Sequence, residues 1–135
     1  MPLIRSAFEA LVKQSHQTAT EKGWHDEAVS VTTMQEAFLN EEVVQLRRHA
    51  DRLAGMLLMV VDEVLEATDH VRKMPPDHSH VGFGLFKEQV TDELADIVIR
   101  VADIAGWLET DLGDAVAHKL QKNTTRPHRH GGKLL

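Results

Sequence analysis

The sequence predicts an all-α fold, a bundle of four to five helices in one domain that spans residues 1–135. Apolar residues recur at intervals of three and four in three long stretches, and this interval marks one face of an α-helix. The clearest stretch, residues 85–108, is apolar on two faces, and such a helix must be covered on both. We therefore expect oligomerisation to complete the bundle, as a homodimer or a homotetramer.

The composition excludes several classes of protein. The chain has 135 residues, enough to bury a core, and no cysteine, so a disulfide scaffold is impossible. The first residues lack the apolar region of a signal peptide, and no run approaches the length of a membrane span. We therefore expect a cytoplasmic protein with no membrane partner. The net charge of −6 also argues against nucleic acid as a partner.

Charge is distributed unevenly along the chain. No acidic residue follows Asp114, whereas five basic residues do: Lys119, Lys122, Arg126, Arg129 and Lys133. An acidic middle that is followed by a basic C-terminal segment, residues 124–135, suits a molecule that holds a cation and an anion side by side. A solvated basic tail on an acidic domain is the alternative.

The first helix is predicted over residues 2–21, with Ser6 and Glu9 as a capping box and Lys22-Gly23 as its stop. Its apolar positions are Ile4, Ala7, Phe8, Leu11 and Val12. Trp24 follows on a short loop. A loop tryptophan can stack on a nucleobase, or it can close the end of the bundle.

The middle of the chain predicts two further helices. Thr33 and Glu36 look like a capping box that opens one helix, which runs to Arg48 or beyond, with or without a break near Asn40. The next helix is predicted over residues 49–73, with an apolar core face and a second, mixed face. The core face carries Leu53, Leu57, Val60, Val61, Val64 and Leu65, and the mixed face carries Met56, Met59, Glu63, Glu66 and His70.

The mixed face predicts the wall of a pocket, because methionine adapts to flat or irregular ligands. Packing of the two methionines against a second subunit is the alternative. Pro75-Pro76 ends the helix, and residues 77–86 are predicted to form a flexible connection. His78 and His80 in this connection suggest a transition metal, but without a third ligand a solvated pair is favoured.

The last two helices are predicted over residues 85–108 and from Thr110 or Asp111 to about Asn123. The first of them has one broad apolar stripe and one narrow stripe of mostly small residues. The broad stripe consists of Val90, Leu94, Ile97, Val98, Val101, Ile104, Ala105 and Leu108, and the narrow one of Ala95, Ile99, Ala102 and Gly106.

Four carboxylates interrupt the two most apolar helices. Glu63 and Glu66 are three residues apart, as are Glu93 and Asp96, so each pair lies on neighbouring turns of one helix face. A carboxylate among packed aliphatic side chains must be hydrogen-bonded, paired or bound to a cation. Oxygen ligands favour Mg²⁺, with Mn²⁺ as a second choice, over zinc or a di-iron centre. Ion pairs with Arg52, Arg100 or lysines are the structural alternative.

These residues resemble the MazG-like branch of the all-α nucleoside triphosphate pyrophosphohydrolases. The resemblance covers roughly residues 50–133 and rests on two acidic motifs and a closing segment. The motifs are Glu63-Val64-Leu65-Glu66 and Glu93-Leu94-Ala95-Asp96, followed by Leu112-Gly113-Asp114-Ala115-Val116 and by Lys119-x-x-Lys122-Asn123-x-x-Arg126-Pro127-x-x-His130-Gly131-Gly132-Lys133. Residues 28–48 look like a family-atypical insertion, so the base preference stays open.

The resemblance implies a Mg²⁺-dependent hydrolase that converts an NTP or dNTP to the monophosphate and pyrophosphate, in house-cleaning of nucleotide pools. It implies three groups of site residues. Glu63, Glu66, Glu93 and Asp96 would be the catalytic residues and metal ligands; Lys119, Lys122, Asn123 and Arg126 would bind phosphate; Trp24, Met56 and Met59 are candidates for the base pocket.

Two other functions fit the same residues. Hydrolysis of phosphoribosyl-ATP uses a related fold with similar carboxylates, as the resemblance also implies. A non-catalytic helical adaptor would use the acidic stripe to bind a basic partner instead.

Overall fold

All regular secondary structure is helical in the computed structural model of the chain, which describes residues 1–25, 36–40, 43–74 and 80–125. Within these residues four long helices form: α1 Pro2–Glu21, α2 Val43–Arg72, α3 His80–Trp107 and α4 Leu112–Thr124. Residues 36–39 are helical as well. The all-α prediction is confirmed. None of the helices in these ranges combines the length and the apolar character that crossing a membrane requires.

Helix α3 is central, because it packs against α2 on one side and α1 on another, while α4 packs against α1. Helices α2 and α3 run antiparallel: His49 lies beside Trp107 at the start of α2, and His70 lies beside Glu93 near its end. The small apolar core between them contains Met56, Ile104 and Trp107. Leu53, Val60 and Leu108 pack around this core and are partly buried.

The ends of α1 and α4 follow from local sequence signals. Helix α1 ends at the predicted stop, where Lys22 is the C-cap and Gly23 adopts φ 77°, a left-handed conformation that glycine takes without steric cost. Asp111, one of the two predicted start residues, is the N-cap of α4: its carboxylate accepts a 2.7 Å hydrogen bond from the backbone N–H of Asp114. The Ser6 capping box was wrong: the Ser6 hydroxyl lies inside α1 and donates to the carbonyl of Leu3.

One predicted boundary in the middle of the chain was also wrong. Helix α2 is continuous for 30 residues, so no helix begins near residue 49, where the next helix was predicted to start. No proline and only one glycine interrupt residues 43–72, so nothing in that stretch forces a break. Residues 43–48 therefore belong to α2, and the prediction that residues 28–48 are a family-atypical insertion stays a prediction. The predicted cap residue Thr33 lies outside the described residues.

Helix α3 begins at His80, five residues before the predicted start, so residues 80–86 are helical and not a connection. The two glycines that favoured a loop each cost about 1 kcal/mol in a helix. Side-chain contacts along the same face oppose that cost: the rings of Phe83 and Phe86 stack at 6.1 Å, and the Lys87 ammonium lies 5.4 Å from the Phe83 ring. Residues 75–79 lie outside the described ranges.

The faces of α2 and α3 are used differently from the prediction. Much of the expected core stripe of α2 is exposed in the single chain, and the mixed stripe of Met56 and Glu63 faces α3 and is buried. On α3 the buried residues come from both stripes: Ala102 from the narrow one, and Ile104 and Ala105 from the broad one. The predicted core face of α2 and the broad stripe of α3 both have exposed apolar side chains. These are Leu57, Val61, Val64 and Leu65 on α2 and Leu94, Val98 and Val101 on α3.

Small residues allow α1 to approach α3 closely. A Cβ placed on Gly106 would lie 2.5 Å from the Cβ of His16, whereas a Cβ on Gly84 would meet no atom within 4 Å. The Cβ of His16 is attached directly to the backbone of α1, so it cannot move away without moving the helix.

We predict opposite effects for two chemically identical substitutions on α3. Gly106→Ala should lower the free energy of unfolding by about 1–3 kcal/mol, because the methyl group overpacks the α1–α3 contact. Gly84→Ala should raise it by about 0.5–1 kcal/mol, because alanine loses less backbone entropy in a helix. Urea unfolding that is followed by circular dichroism measures both. Equal stabilisation by the two substitutions would contradict the close α1–α3 packing.

Candidate metal centre

Three of the four predicted carboxylates converge between α2 and α3. Each of Glu63, Glu66 and Glu93 offers one oxygen, and these oxygens all lie within 4.8 Å of one another. Two successive turns of α2 supply Glu63 and Glu66, and the facing turn of α3 supplies Glu93. Glu63 is buried, with a relative exposure of 7%, Glu93 is half-buried and Glu66 is exposed. We call these three residues the carboxylate cluster.

Asp96 lies outside the carboxylate cluster. It is exposed and points toward α1, where it lines a cavity beside Lys22 and Ile99. The geometry of the helix explains this position: three residues advance the chain by 300°, so Asp96 is turned about 60° from Glu93. Both pairs of carboxylates are neighbours along their helices, but only on α2 do both members face the partner helix.

Arg100 compensates the buried charge of the carboxylate cluster. Its Nε donates a 2.5 Å hydrogen bond to Oε1 of Glu63, in an ion pair whose side chains are 25% and 9% exposed. Arg100 follows Glu93 by seven residues and Asp96 by four, so it continues the same face of α3. The ion pair with Arg100 that the sequence analysis gives as the structural alternative is therefore present at Glu63.

His70 contacts the other side of the carboxylate cluster. Its Nε2 lies 3.2 Å from Oε1 of Glu93. His70 follows Glu66 by four residues and Glu63 by seven, which places all three on one face of α2. Sequence analysis found this face and did not assign a partner to the imidazole, because the register of α2 against α3 is not visible in either helix alone.

Arg100 connects the carboxylate cluster to a cavity that collects the three candidates for a base pocket, although none of the three carboxylates lines that cavity. Trp24, Met56 and Met59 all line this cavity of about 280 Å³, which we call the α2 cavity. Its other lining residues are His25, Asp51, Arg52, Gly55, Arg100, Asp103 and Ile104. Concave, mostly apolar sites with a few polar groups are the usual form of a small-molecule site, although this one is at the small end of their range.

Trp24 is held in place by two arginines. The guanidinium of Arg100 lies 5.2 Å from the centre of the Trp24 ring, and Arg52 donates a 2.5 Å hydrogen bond to the Trp24 carbonyl oxygen. The Trp24 side chain remains half exposed. One face of the indole is therefore covered by a cation, and a further part of the ring is accessible from solvent.

A second cavity of about 470 Å³, the α1 cavity, adjoins the first. The two share Trp24, Arg100 and Asp103 as lining residues. Asp103 also contacts the imidazoles of His16 and His25. Sequence analysis missed these three residues, because 78 and 87 positions separate the histidines from Asp103 and no local pattern connects them.

The predicted phosphate-binding residues lie elsewhere on the chain. Lys119, Lys122 and Asn123 are exposed on α4, the helix that packs against α1. They line neither the α2 cavity nor the α1 cavity. Arg126 lies outside the described residues. The described part of a single chain thus brings a base-pocket candidate and three carboxylates together, and does not bring these side chains of α4 to them.

The donor set of the carboxylate cluster fits a hard cation. Mg²⁺ takes oxygen ligands at about 2.0–2.1 Å in octahedral geometry, so pairs of its ligands stand about 3–4 Å apart. The three carboxylate oxygens lie within 4.8 Å of one another, so binding an ion at these distances needs at most a small inward movement. Glu66, the exposed member, leaves a path to solvent. Arg100 already neutralises part of the charge, and a cation would have to share Glu63 with it or displace it.

We predict that loss of the Arg100 charge destabilises the protein strongly. Arg100→Met keeps an apolar stem of similar length and leaves Glu63 buried without its partner, which should lower the free energy of unfolding by about 3 kcal/mol. Arg5→Met is the matched control, because Arg5 pairs with Asp114 on the surface and should contribute less than about 1 kcal/mol. Urea unfolding in the presence of EDTA measures both. Similar small effects would show that Glu63 does not depend on Arg100.

Comparison of the chain with family models, with curated proteins and with solved structures finds no match. The resemblance that the acidic motifs and the closing segment carry therefore stays a prediction. The geometry of the carboxylate cluster and of the two cavities stands independently of it.

Proposed function

We propose that the protein is a Mg²⁺-dependent nucleoside triphosphate pyrophosphohydrolase that acts on an NTP or a dNTP and serves house-cleaning of nucleotide pools. One observation carries the proposal: Glu63, Glu66 and Glu93 converge from two helices, and Arg100, which pairs with Glu63, lines the cavity that Trp24 also lines. The site thus offers oxygen ligands for a cation that binds a triphosphate, and an aromatic surface for a base, in adjacent positions.

The carboxylate cluster would hold the cation, and Mn²⁺ could replace Mg²⁺. Asp96 would contribute from the side of the α1 cavity, either to the same ion or to a further one. When bound, the ion supplies charge neutralisation at the phosphate oxygens and lowers the pKa of a coordinated water. Carboxylates are suited to this site because they combine hard oxygen ligands with negative charge.

The reaction requires a water oxygen to form a bond to the α phosphorus while the bond from that phosphorus to the bridging oxygen breaks. Pyrophosphate leaves with the bonding electrons, and the nucleoside monophosphate remains. A carboxylate that is not saturated by metal, Glu63 or Glu66, would accept the proton of the attacking water. Glu66 is the better exposed of the two.

Cationic side chains would bind the triphosphate. The guanidinium of Arg100 can turn from Glu63 to a phosphate oxygen, because carboxylate and phosphate accept the same pair of donors. We retain Lys119, Lys122, Asn123 and Arg126 as phosphate ligands of the assembled protein. Since the first three do not line the cavities of their own chain, we propose that a neighbouring subunit contributes them.

The base would enter the α2 cavity against Trp24. Every base offers a π face, and stacking on an aromatic side chain typically contributes about 1–3 kcal/mol. Met56 and Met59 would form the opposite, adaptable wall. Closure of the end of the bundle by Trp24 is the alternative, and the half-exposed state of its ring favours a binding role over a purely structural one.

We predict that Glu63→Gln and Glu93→Gln each abolish Mg²⁺ binding and reduce turnover at least about 100-fold, because a neutral amide cannot replace a carboxylate ligand. Far-ultraviolet circular dichroism should remain that of the wild type, since glutamine keeps the size and the hydrogen bonds. Glu88→Gln is the matched control: this residue is exposed on α3 outside the carboxylate cluster, and its substitution should leave both properties unchanged. Activity within a few-fold of wild type in both cluster variants would end the assignment.

A substrate panel with pyrophosphate release as the readout separates the alternatives. Common, deoxy and modified triphosphates are compared with phosphoribosyl-ATP at fixed Mg²⁺. Preference for phosphoribosyl-ATP would move the protein to the related reaction of histidine synthesis. Absence of turnover with every substrate, together with no heat of Mg²⁺ binding, would favour the non-catalytic adaptor.

We propose in addition that a second copy of the chain covers an exposed apolar face of α2 that contains Leu58, Val61 and Leu65. Leu58, Val61 and Leu65 follow at intervals of three and four and are 63%, 47% and 59% exposed. Several large apolar side chains on one helix face mark an interaction surface more than a solvated one. A second copy also fits the expectation that α4 residues reach the carboxylate cluster of a neighbour.

We predict a homodimer or homotetramer at micromolar concentration, with twice or four times the 15.1 kDa mass of the chain in size-exclusion light scattering. Leu58→Glu should shift this distribution toward the monomer, because it places a charge in the buried contact. Leu3→Glu, on an α1 side chain that is 84% exposed, is the control and should leave the mass unchanged. A wild-type monomer would contradict the assembly.

A further inference from the structure

A cluster of two imidazoles and one carboxylate lies apart from the carboxylate cluster and is made of different residues. His16 comes from α1, His25 from the turn that follows α1, and Asp103 from α3. Nδ1 of His16 lies 2.9 Å from Oδ1 of Asp103. Nε2 of His25 lies 2.8 Å from the same oxygen and 3.1 Å from Oδ2. One atom from each of the three side chains lies within 4.8 Å of the others.

The three side chains are largely removed from solvent. The exposed fractions are 7% for His25, 13% for Asp103 and 33% for His16. Nδ1 of His25 is buried and has no hydrogen-bond partner among the described residues. Burial of an imidazole that is paired at only one nitrogen costs free energy, so the interaction at Nε2 must be strong enough to offset that cost.

We propose that His16, His25 and Asp103 form a binding site for a divalent transition-metal ion of the Zn²⁺ class. Zinc accepts imidazole nitrogen and carboxylate oxygen at about 2.0–2.2 Å, which sets tetrahedral ligand atoms about 3.4 Å apart. The contacts to Asp103 are about half an ångström shorter than this. Insertion of an ion therefore needs only a small outward movement of the three side chains.

The ligand chemistry separates this site from the carboxylate cluster. Imidazole suits zinc and related transition metals, whereas Mg²⁺ prefers carboxylate, water and phosphate oxygen. Two of the three donors here are nitrogens, and all three donors of the carboxylate cluster are oxygens. Excess Mg²⁺ should therefore not compete for the His16–His25–Asp103 site.

A metal ion can reach the site from either cavity, and a fourth ligand can complete its coordination. His25 and Asp103 line the α2 cavity, and Asp103 lines the α1 cavity too. Three protein ligands with an open position are the pattern of zinc sites that keep a water or an exchangeable ligand. Water in either cavity can reach the ion at the position that the three side chains leave open.

The consequence of binding concerns Trp24. This residue precedes His25 directly and lines both cavities. An ion that joins the turn at His25 to α1 and α3 would restrict the movement of Trp24, and with it the shape of the α2 cavity. We therefore assign the site a positioning role for Trp24, not a role in the chemistry of the carboxylate cluster.

The test uses the full chain after EDTA treatment and removal of the chelator, without nucleotide. Zn²⁺ is titrated into the protein by calorimetry in a buffer that contains excess Mg²⁺. In a parallel titration Co²⁺ serves as a visible-absorption probe of tetrahedral coordination. We expect one Zn²⁺ per chain, a change in tryptophan emission that is lost in Trp24→Phe, and a rise in the thermal unfolding midpoint. Absence of Zn²⁺ binding by the wild type would overturn the proposal.

Four variants locate the ion. His16→Gln and Asp103→Asn keep the size of each side chain and should weaken Zn²⁺ binding at least about 100-fold, as loss of even an outer partner of a metal ligand can do. His118→Gln, on an exposed residue of α4, and the double variant His78→Gln/His80→Gln are the histidine controls and should bind Zn²⁺ as the wild type does. Binding that is retained in His16→Gln and Asp103→Asn, or lost only in His78→Gln/His80→Gln, would overturn the assignment. Neither result bears on Mg²⁺ binding by the carboxylate cluster.

Discussion

The buried charge of Glu63 is the constraint on which this structure depends. A carboxylate between two packed helices needs a compensating charge or a cation, and Arg100 supplies one from the facing helix at 2.5 Å. This contact joins α2 to α3 in the register that the structure shows. The same register places Glu93 beside His70, and it carries the guanidinium of Arg100 to the ring of Trp24. One ion pair thus connects the carboxylate cluster, the central pair of helices and the wall of the α2 cavity.

The inner face of α2 buries two polar side chains, His49 and Glu63, at a cost in stability. His49, Met56 and Glu63 repeat every seven residues on that face, and all three are buried. Neither ring nitrogen of His49 has a hydrogen-bond partner among the described residues, and the same holds for Nε1 of Trp107 opposite it. Aliphatic side chains at these positions would pack without a desolvation penalty. Local rules are usually broken in this way at functional sites, which agrees with a role for this face in binding.

Asp103 and Gly106 show how α3 joins two regions with different chemistry. The absence of a side chain at Gly106 brings the backbone of α1 close enough for His16 to reach Asp103. The other side of α3 presents Glu93 and Arg100 to α2. A single helix therefore presents a carboxylate and a guanidinium to α2, and a second carboxylate, between two imidazoles, to α1 and the turn that follows it. Its two-faced pattern in the sequence reflects these two neighbours and an apolar surface that remains exposed.

The sequence by itself determined what depends on neighbours along the chain: the all-α fold, the stop of α1 at Gly23, the cap of α4 at Asp111 and the two acidic motifs. It also named Trp24, as a loop tryptophan, and Met56 and Met59, on the mixed face of α2, as candidates for a base pocket. Only the tertiary structure decided that α2 is continuous, that α3 begins at His80, and that Asp96 turns away from Glu63. It alone selected Arg100 among the candidate partners of Glu63 and brought His16 to Asp103. Helical periodicity defines the faces of one helix, but the choice of the buried face depends on the register and rotation of helices that are distant in sequence.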